Sequence, residues 1–120
     1  MRPVFEFNTP KGYTWLLDRD LVDFRPNSQL QPWYYLDKNS VFSATQKWPK
    51  TAYTGGELIA FAKRQDCDDM ACFDVWQNDV KVIVVIHGWT AHGFEVITTY
   101  DDFWNWLKSV IDDMAEWVST

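Results

Sequence analysis

The chain has 120 residues, of which 18% are aromatic, and a formal net charge of −6. This length predicts one domain that folds around its own core without metal or disulfide cross-links. The negative charge disfavours nucleic-acid binding, which requires a basic surface to displace counterions from phosphate. The first sixty residues have a net charge of +1 and the last sixty of −7. The acids therefore belong to the second half, which suits a basic protein partner.

Residues 1–52 give the weaker structural pattern. Residues 4–7 suggest a short strand, and residues 13–22 a short helix with four apolar side chains on one face: Tyr13, Leu16, Leu17 and Leu21. Residues 33–36 and 41–42 are interpreted as apolar anchors in an irregular segment that covers the core. Prolines punctuate this segment at Pro26, Pro32 and Pro49.

Residues 53–118 predict a sheet followed by a helix. Four strands, over residues 57–63, 70–76, 81–87 and 93–98, are expected to form an antiparallel meander, with a turn at residues 77–79. The third strand is apolar on both faces, so we expect it to lie inside the sheet with protein packed on each side.

The last element is predicted as a helix over residues 100–118. Thr99, followed by Asp102, has the character of a capping box. Apolar residues repeat at helical spacing and should pack on the sheet: Phe103, Leu107, Val110, Met114 and Trp117, flanked by Trp104, Ile111 and Val118. The fold class is thus α+β, in a single domain over residues 1–120.

Two cysteines and two histidines have a spacing close to that of a two-Cys, two-His zinc site. Cys67 and Cys72 are followed, after fourteen residues, by His87 and His92. However, a buried strand separates the two pairs, and His87 ends that strand, whereas a small zinc finger places both histidines on one helix. We therefore predict no metal, no cofactor and no Cys67–Cys72 disulfide.

An enzymatic function is not expected. His87-Gly88-Trp89 after an apolar strand resembles the oxyanion strand of an esterase. The required G-x-S-x-G nucleophile motif is absent from the sequence, and the chain is too short for that fold.

The loop at residues 66–69 carries three carboxylates, Asp66, Asp68 and Asp69. Three interpretations are open. These carboxylates are ligands of Ca²⁺ or Mg²⁺, they belong to a solvated loop and pair with Arg64 or Lys63, or they are part of a partner-binding surface. The spacing of an EF-hand is missing, which disfavours the first interpretation.

Asp112, Asp113 and Glu116 lie in the last turns of the predicted helix, where negative charge opposes the helix dipole. Because they bring the helix no benefit, they serve either solubility or a partner. We predict that these acids, the loop acids and an exposed ring such as Trp76 or Trp89 form the partner-binding surface.

The second half resembles the SUKH superfamily, which includes yeast cell-wall-synthesis regulators and many bacterial immunity proteins. The resemblance covers residues 53–118 and is carried by GGELIAFA at 55–62, ACFD at 71–74, a hydrophobic strand, and YDDF at 100–103. Residues 1–52 lack the expected Leu-Pro, aromatic and Asn-Gly pattern, so no subgroup is indicated. The resemblance implies a non-enzymatic α+β fold that binds and neutralises a toxin domain, often a nuclease.

The expected function is therefore a cytoplasmic immunity protein that binds a basic toxin domain. The alternative is a regulatory scaffold or a small-ligand-binding domain with an aromatic cleft. No signal peptide or membrane span is expected, because the longest apolar run covers only residues 82–86. The oligomeric state cannot be predicted from these patterns.

Overall fold

An antiparallel sheet occupies the centre of the fold, with two helices packed on one of its faces and a four-residue helix on the other. The computed structural model describes residues 2–25 and 30–119, and Pro26 of the predicted covering segment lies outside these ranges. The elements are α1 (Lys11–Asp18), β1 (Trp33–Tyr35), β2 (Phe42–Ser43), α2 (Ala44–Lys47), β3 (Glu57–Arg64), β4 (Asp69–Trp76), β5 (Asp79–Thr90), β6 (Gly93–Tyr100) and α3 (Phe103–Ser119).

The predicted meander is confirmed. The strand order is β1-β3-β4-β5-β6, with β2 also paired to β3, and all of these pairs are antiparallel. Gln77 and Asn78 join β4 to β5, and both have positive φ. This two-residue connection matches a type I′ hairpin, whose twist fits that of the flanking strands.

Strand β5 is covered on both faces, as its continuous apolar sequence predicts. Ile83 and Val85 belong to one buried cluster, whereas Val84 and Ile86 belong to the other. The first cluster contains most of the large rings, including Phe61 stacked on Phe73 with ring centroids 4.0 Å apart. Each buried ring removes about 150–250 Å² from water, so this side of the sheet supplies much of the stabilisation.

The N-terminal predictions require correction. Residues 4–7 form no strand; instead, Phe5 and Phe7 pack edge-on against Phe73. Helix α1 ends at Asp18, and Leu21 lies beyond it, 48% exposed. The helix ends there because Asp20 adopts a left-handed backbone, which directs the Asp20 and Leu21 amides to the Leu17 and Leu16 carbonyls.

The segment that we interpreted as irregular contains strands. Trp33 pairs with Arg64, and Phe42 pairs with Ala60, both along β3. Strands of three and two residues are too short to show an alternating apolar pattern in the sequence. They are recognised only in the structure, where both pair with β3.

The start of α3 also differs from the prediction. Tyr100 still pairs with Ile83, so Thr99 lies in β6 and cannot cap the helix. Asp102 caps it instead, because the Asn105 amide donates to Asp102 Oδ1 at 2.8 Å.

The buried face of α3 is narrower than the predicted stripe. Phe103, Trp106 and Val110 are buried, and Trp106 was not in the predicted stripe. Four predicted members are substantially exposed: Trp104, Ile111, Trp117 and Val118. No helix within residues 2–25 and 30–119 is long and apolar enough to cross a membrane.

Candidate functional site

Most of the predicted partner-binding residues lie at one end of the sheet. The β3–β4 loop meets the β5–β6 hairpin there, because Asp69 pairs with His87 and the Gly88 amide donates to the Asp68 carbonyl at 3.0 Å. The last turns of α3 reach the same end through Arg64. We call this the loop-end surface, and it comprises Asp66, Asp68, Asp69, Trp89, Asp112, Asp113 and Glu116.

Arg64 organises one half of the loop-end surface. It donates to both oxygens of Asp66 at 2.8 and 2.9 Å, and its Nη1 lies 3.4 Å from Asp113 Oδ2. Arg64 thus pairs with one of the three loop acids, as one of the interpretations of this loop expected. The hydrogen bonds from Arg64 hold the pKa of Asp66 below its usual range.

Asp113 has a structural partner as well. The indole Nε1 of buried Trp33 donates to Asp113 Oδ2 at 2.9 Å. The expectation that the helix-end acids bring no local benefit is therefore wrong for Asp113, which connects α3 to both β1 and β3. A depression of about 240 Å³ lies between these elements, and it is lined by Arg64, Asp66, Asp113, Glu116 and Trp117.

Asp69 and His87 form the second engaged pair. His87 Nδ1 lies 2.7 Å from Asp69 Oδ1, across adjacent strands. This hydrogen bond raises the pKa of His87, and the nearby carboxylates of Asp68 and Glu95 act in the same direction.

The remaining three acids are free. Within the described ranges, the carboxylates of Asp68, Asp112 and Glu116 make no hydrogen bond or ion pair. The sequence gives no reason to distinguish among the six acids of this surface. In the structure, three of them are paired and hold the surface together, and the other three face solvent unpaired.

Trp89 is the most unusual residue of the loop-end surface. Its backbone has φ of +59°, and its side chain is 55% exposed. His87 pairs with Glu95 and Thr90 with Gly93, so Gly88 and Trp89 together oppose a single residue and form a β-bulge. A bulky residue in the left-handed region costs about 1–3 kcal/mol, and such strain concentrates at functional sites.

The ring of Trp89 is supported from two sides. Trp48 meets it edge-to-face with ring centroids 5.2 Å apart, and Lys47 Nζ lies 4.5 Å from its centroid. Trp89 was predicted from the sequence as a partner-binding residue, whereas Lys47 and Trp48 were not. Nothing in their local pattern distinguishes them, because they meet Trp89 only through the tertiary fold.

Trp76 does not join the loop-end surface. It ends β4 beside the type I′ turn, at the opposite end of that strand from Asp69, and it is 48% exposed. The two rings named as alternatives therefore lie at opposite ends of the sheet.

Asp74 was not predicted as a site residue, although it lies within the motif that carries the family resemblance. It is the one buried charged side chain in the described part of the chain, at 6% exposure. Its two oxygens accept from the Tyr53 hydroxyl at 2.5 Å and from the Gly56 amide at 2.8 Å. Gly56 is needed there, since a Cβ would lie 2.1 Å from the Val75 carbonyl oxygen. Asp74 thus fixes the Gly-Gly turn against β4.

The residues of the zinc-like motif are scattered. Cys72 is fully buried, Cys67 lies in the exposed loop, His87 is bound to Asp69, and His92 lies in the β5–β6 turn. Within residues 2–25 and 30–119, no group of three or more His, Cys, Asp or Glu side chains is placed to hold a metal ion.

The thiol of Cys67 is also poorly suited to nucleophilic chemistry. Partial burial, assisted by Asp69 and Asp66, raises its pKa. A nucleophilic cysteine needs the opposite shift, because the thiolate is the reactive form.

Comparisons with protein-family models, curated proteins and solved structures give no match. The SUKH resemblance therefore stays a prediction.

Proposed function

We propose that this chain is a non-enzymatic protein-binding module of the immunity type, which neutralises a basic toxin domain through its loop-end surface. The observation that carries the proposal is Trp89, an exposed ring held in a strained backbone conformation next to Gly88, whose amide donates to the Asp68 carbonyl. Neither the strain nor the exposure of this ring stabilises the isolated fold, and both suit presentation of an anchor to a partner.

The ring and the acids have different roles in such an interface. Large aromatic side chains that become buried at the centre of an interface contribute most of its affinity. Charges at the rim chiefly raise the association rate and reject wrong partners. We therefore assign affinity to Trp89 and electrostatic steering to Asp68, Asp112 and Glu116.

The engaged acids support this arrangement indirectly. Asp66 and Asp113 fix Arg64, and Asp69 fixes His87, so the two segments that carry the free acids are connected to the sheet. Little backbone motion of these segments then remains to be lost on binding, which favours affinity.

A nuclease toxin is the partner class with the clearest charge match. Such a domain must be basic to hold nucleic acid, and this chain carries a net charge of −6. The family resemblance points to the same class of partner.

The test is to co-express the chain with any toxin domain that a neighbouring gene encodes and to purify the complex. Trp89→Ala should weaken the complex by about 2 kcal/mol, roughly thirtyfold in Kd, mainly through faster dissociation. Trp76→Ala is the matched control, because it removes an equally exposed ring from the other end of the sheet and should leave Kd unchanged. Unprotected cells together with no complex, or equal effects of the two substitutions, would refute the proposal.

A second candidate function, small-ligand binding or a regulatory scaffold, is favoured by one observation. A depression of about 450 Å³ lies beside Trp48, within the size range of small-molecule sites. A gene without a neighbouring toxin would favour this alternative.

A further inference from the structure

The depression beside Trp48 lies between the end of α2 and the β5–β6 hairpin. Its lining includes Lys47, Trp48, Lys50, Thr90 and His92. It is separate from the depression at Arg64, which is lined by β3, the β3–β4 loop and α3.

Hydrogen bonds and close packing fix the two walls of this depression. The Thr51 hydroxyl donates to the His92 carbonyl at 2.7 Å, and the Phe94 amide donates to the Thr51 hydroxyl at 3.3 Å. Gly93 permits the approach, since a Cβ there would lie 2.2 Å from Thr51 Oγ1. The depression is thus a formed feature between two connected segments.

The charge of the lining is opposite to that of the chain. Lys47, Lys50 and His92 contribute basic groups, and no acid is among the described residues that line the depression. Neither lysine makes an ion pair within residues 2–25 and 30–119. A locally basic depression in a chain of net charge −6 is complementary to an anion.

Lys47 is positioned by aromatic rings instead of by a carboxylate. Its Nζ lies 4.5 Å from the centroid of Trp89 and within 6 Å of the centroids of Trp48 and Phe42, at 5.8 and 5.9 Å. The rings attract the ammonium through their quadrupoles but do not neutralise it. The positive charge therefore remains available to an anionic group.

We propose that this depression binds a small anion that carries a flat aromatic ring, with the carboxylate or phosphate on Lys47 and Lys50 and the ring against the Trp48 side. We infer the aromatic ring of the ligand from Trp48 and Pro49 in the lining, because they offer an apolar surface to a planar group. The inference rests on the second candidate function, small-ligand binding at this depression, and does not depend on the proposed toxin partner.

The binding test uses four probes: AMP, adenosine, benzoate and inorganic phosphate. Titration of the ¹⁵N-labelled chain would follow the indole N–H signals of Trp48 and Trp89, assigned by Trp48→Phe and Trp89→Phe. AMP or benzoate should shift both signals with Kd below about 1 mM, and adenosine and phosphate should bind at least tenfold more weakly. Comparison of AMP with benzoate distinguishes a phosphate from a carboxylate ligand.

The variant test uses matched pairs of lysines. Lys47→Ala with Lys50→Ala should weaken the binding of the better probe at least tenfold. Lys38→Ala with Lys81→Ala removes the same charge from two exposed lysines outside the depression and should leave binding unchanged. Equal losses in the two double variants, binding of adenosine or phosphate as tight as that of the better of AMP and benzoate, or no shift by any probe at about 5 mM would overturn the proposal. A positive result here with no toxin complex would refute only the immunity function.

Discussion

At the scale of single residues, the aromatic core contains polar atoms that it does not satisfy. Tyr13 Oη, Tyr35 Oη and Trp106 Nε1 are buried, and none has a hydrogen-bond partner in the described part of the chain. Burial raises the pKa of both tyrosines. A buried unpaired group costs about 1–3 kcal/mol of desolvation, so these side chains act in the core mainly through their rings.

The tyrosines therefore offer a paired stability test. Tyr35→Phe removes an unpaired hydroxyl and should raise the free energy of unfolding by about 1 kcal/mol. Tyr53→Phe makes the same chemical change but removes the hydroxyl that donates to buried Asp74, so it should lower that free energy by about 1–3 kcal/mol. Urea denaturation measures both, and a loss in Tyr35→Phe similar to that in Tyr53→Phe would show that the Tyr35 hydroxyl has a partner.

The Asp69–His87 pair predicts a pH dependence with a definite sign. Because Asp69 raises the pKa of His87 in the folded state, the pair stabilises the fold fully below the unfolded histidine pKa of about 6.5. This contribution is lost as pH rises through the folded pKa. Urea denaturation should thus show that His87→Gln costs more stability at about pH 5.5 than at about pH 8.5.

His92→Gln is the control for this pH effect, because the His92 side chain has no hydrogen-bond partner in the described ranges. At about pH 5.5 this substitution should cost less than about 0.5 kcal/mol, less than His87→Gln. A constant difference between wild type and His87→Gln across the pH range would contradict the assignment.

At the scale of elements, the start of α3 shows how two competing capping signals are resolved. Thr99 and Asp102 both have the right chemistry, but the pairing of Tyr100 with Ile83 keeps Thr99 in the sheet. Asp102→Ala should cost about 1 kcal/mol of stability, whereas exposed Thr99→Ala should cost less than about 0.5 kcal/mol. Thermal unfolding of the two variants measures both losses of stability. A larger loss in Thr99→Ala than in Asp102→Ala would show that Thr99 is the cap.

The C-terminal half of α3 depends on Asp113 in the same way. Asp113→Ala leaves the buried Trp33 indole without its acceptor and Arg64 with one partner fewer. We expect a loss of about 1–3 kcal/mol, against less than about 0.5 kcal/mol for the unpaired neighbour in Asp112→Ala. Chemical denaturation checks both values; equal losses would show that the Trp33–Asp113 hydrogen bond contributes nothing.

At the scale of the whole molecule, the position of the charges matters more than their sum. Asp68→Lys with Glu116→Lys reverses two free acids at the loop-end surface. Glu6→Lys with Asp101→Lys makes the same charge change away from that surface, at two exposed residues without ion pairs in the described ranges. Stopped-flow association with the toxin domain should be several-fold slower, and less sensitive to salt, for the first pair only. Equal slowing by both pairs would mean that only net charge steers the encounter.

Local sequence patterns are enough to predict the elements of the second half of the fold. Strands β3 to β6 and helix α3 follow from local periodicity and turn residues, because each element repeats its pattern long enough to be recognised. A turn at residues 77–79 and the two-sided burial of β5 were also predictable from the sequence. The concentration of acids in the last sixty residues was also visible without a structure.

The composition of the candidate site depends on how distant parts of the chain pack together. The free and engaged acids are identical in type, and Asp113 differs from Asp112 only because Trp33 and Arg64, which are distant in sequence, reach one and not the other. Strands β1 and β2 exist because β3 offers an edge, and Trp89 gains its support from Lys47 and Trp48 across the fold. Hydrogen bonds, ion pairs and burial depend on distances between side chains, and these are fixed only when the chain has packed.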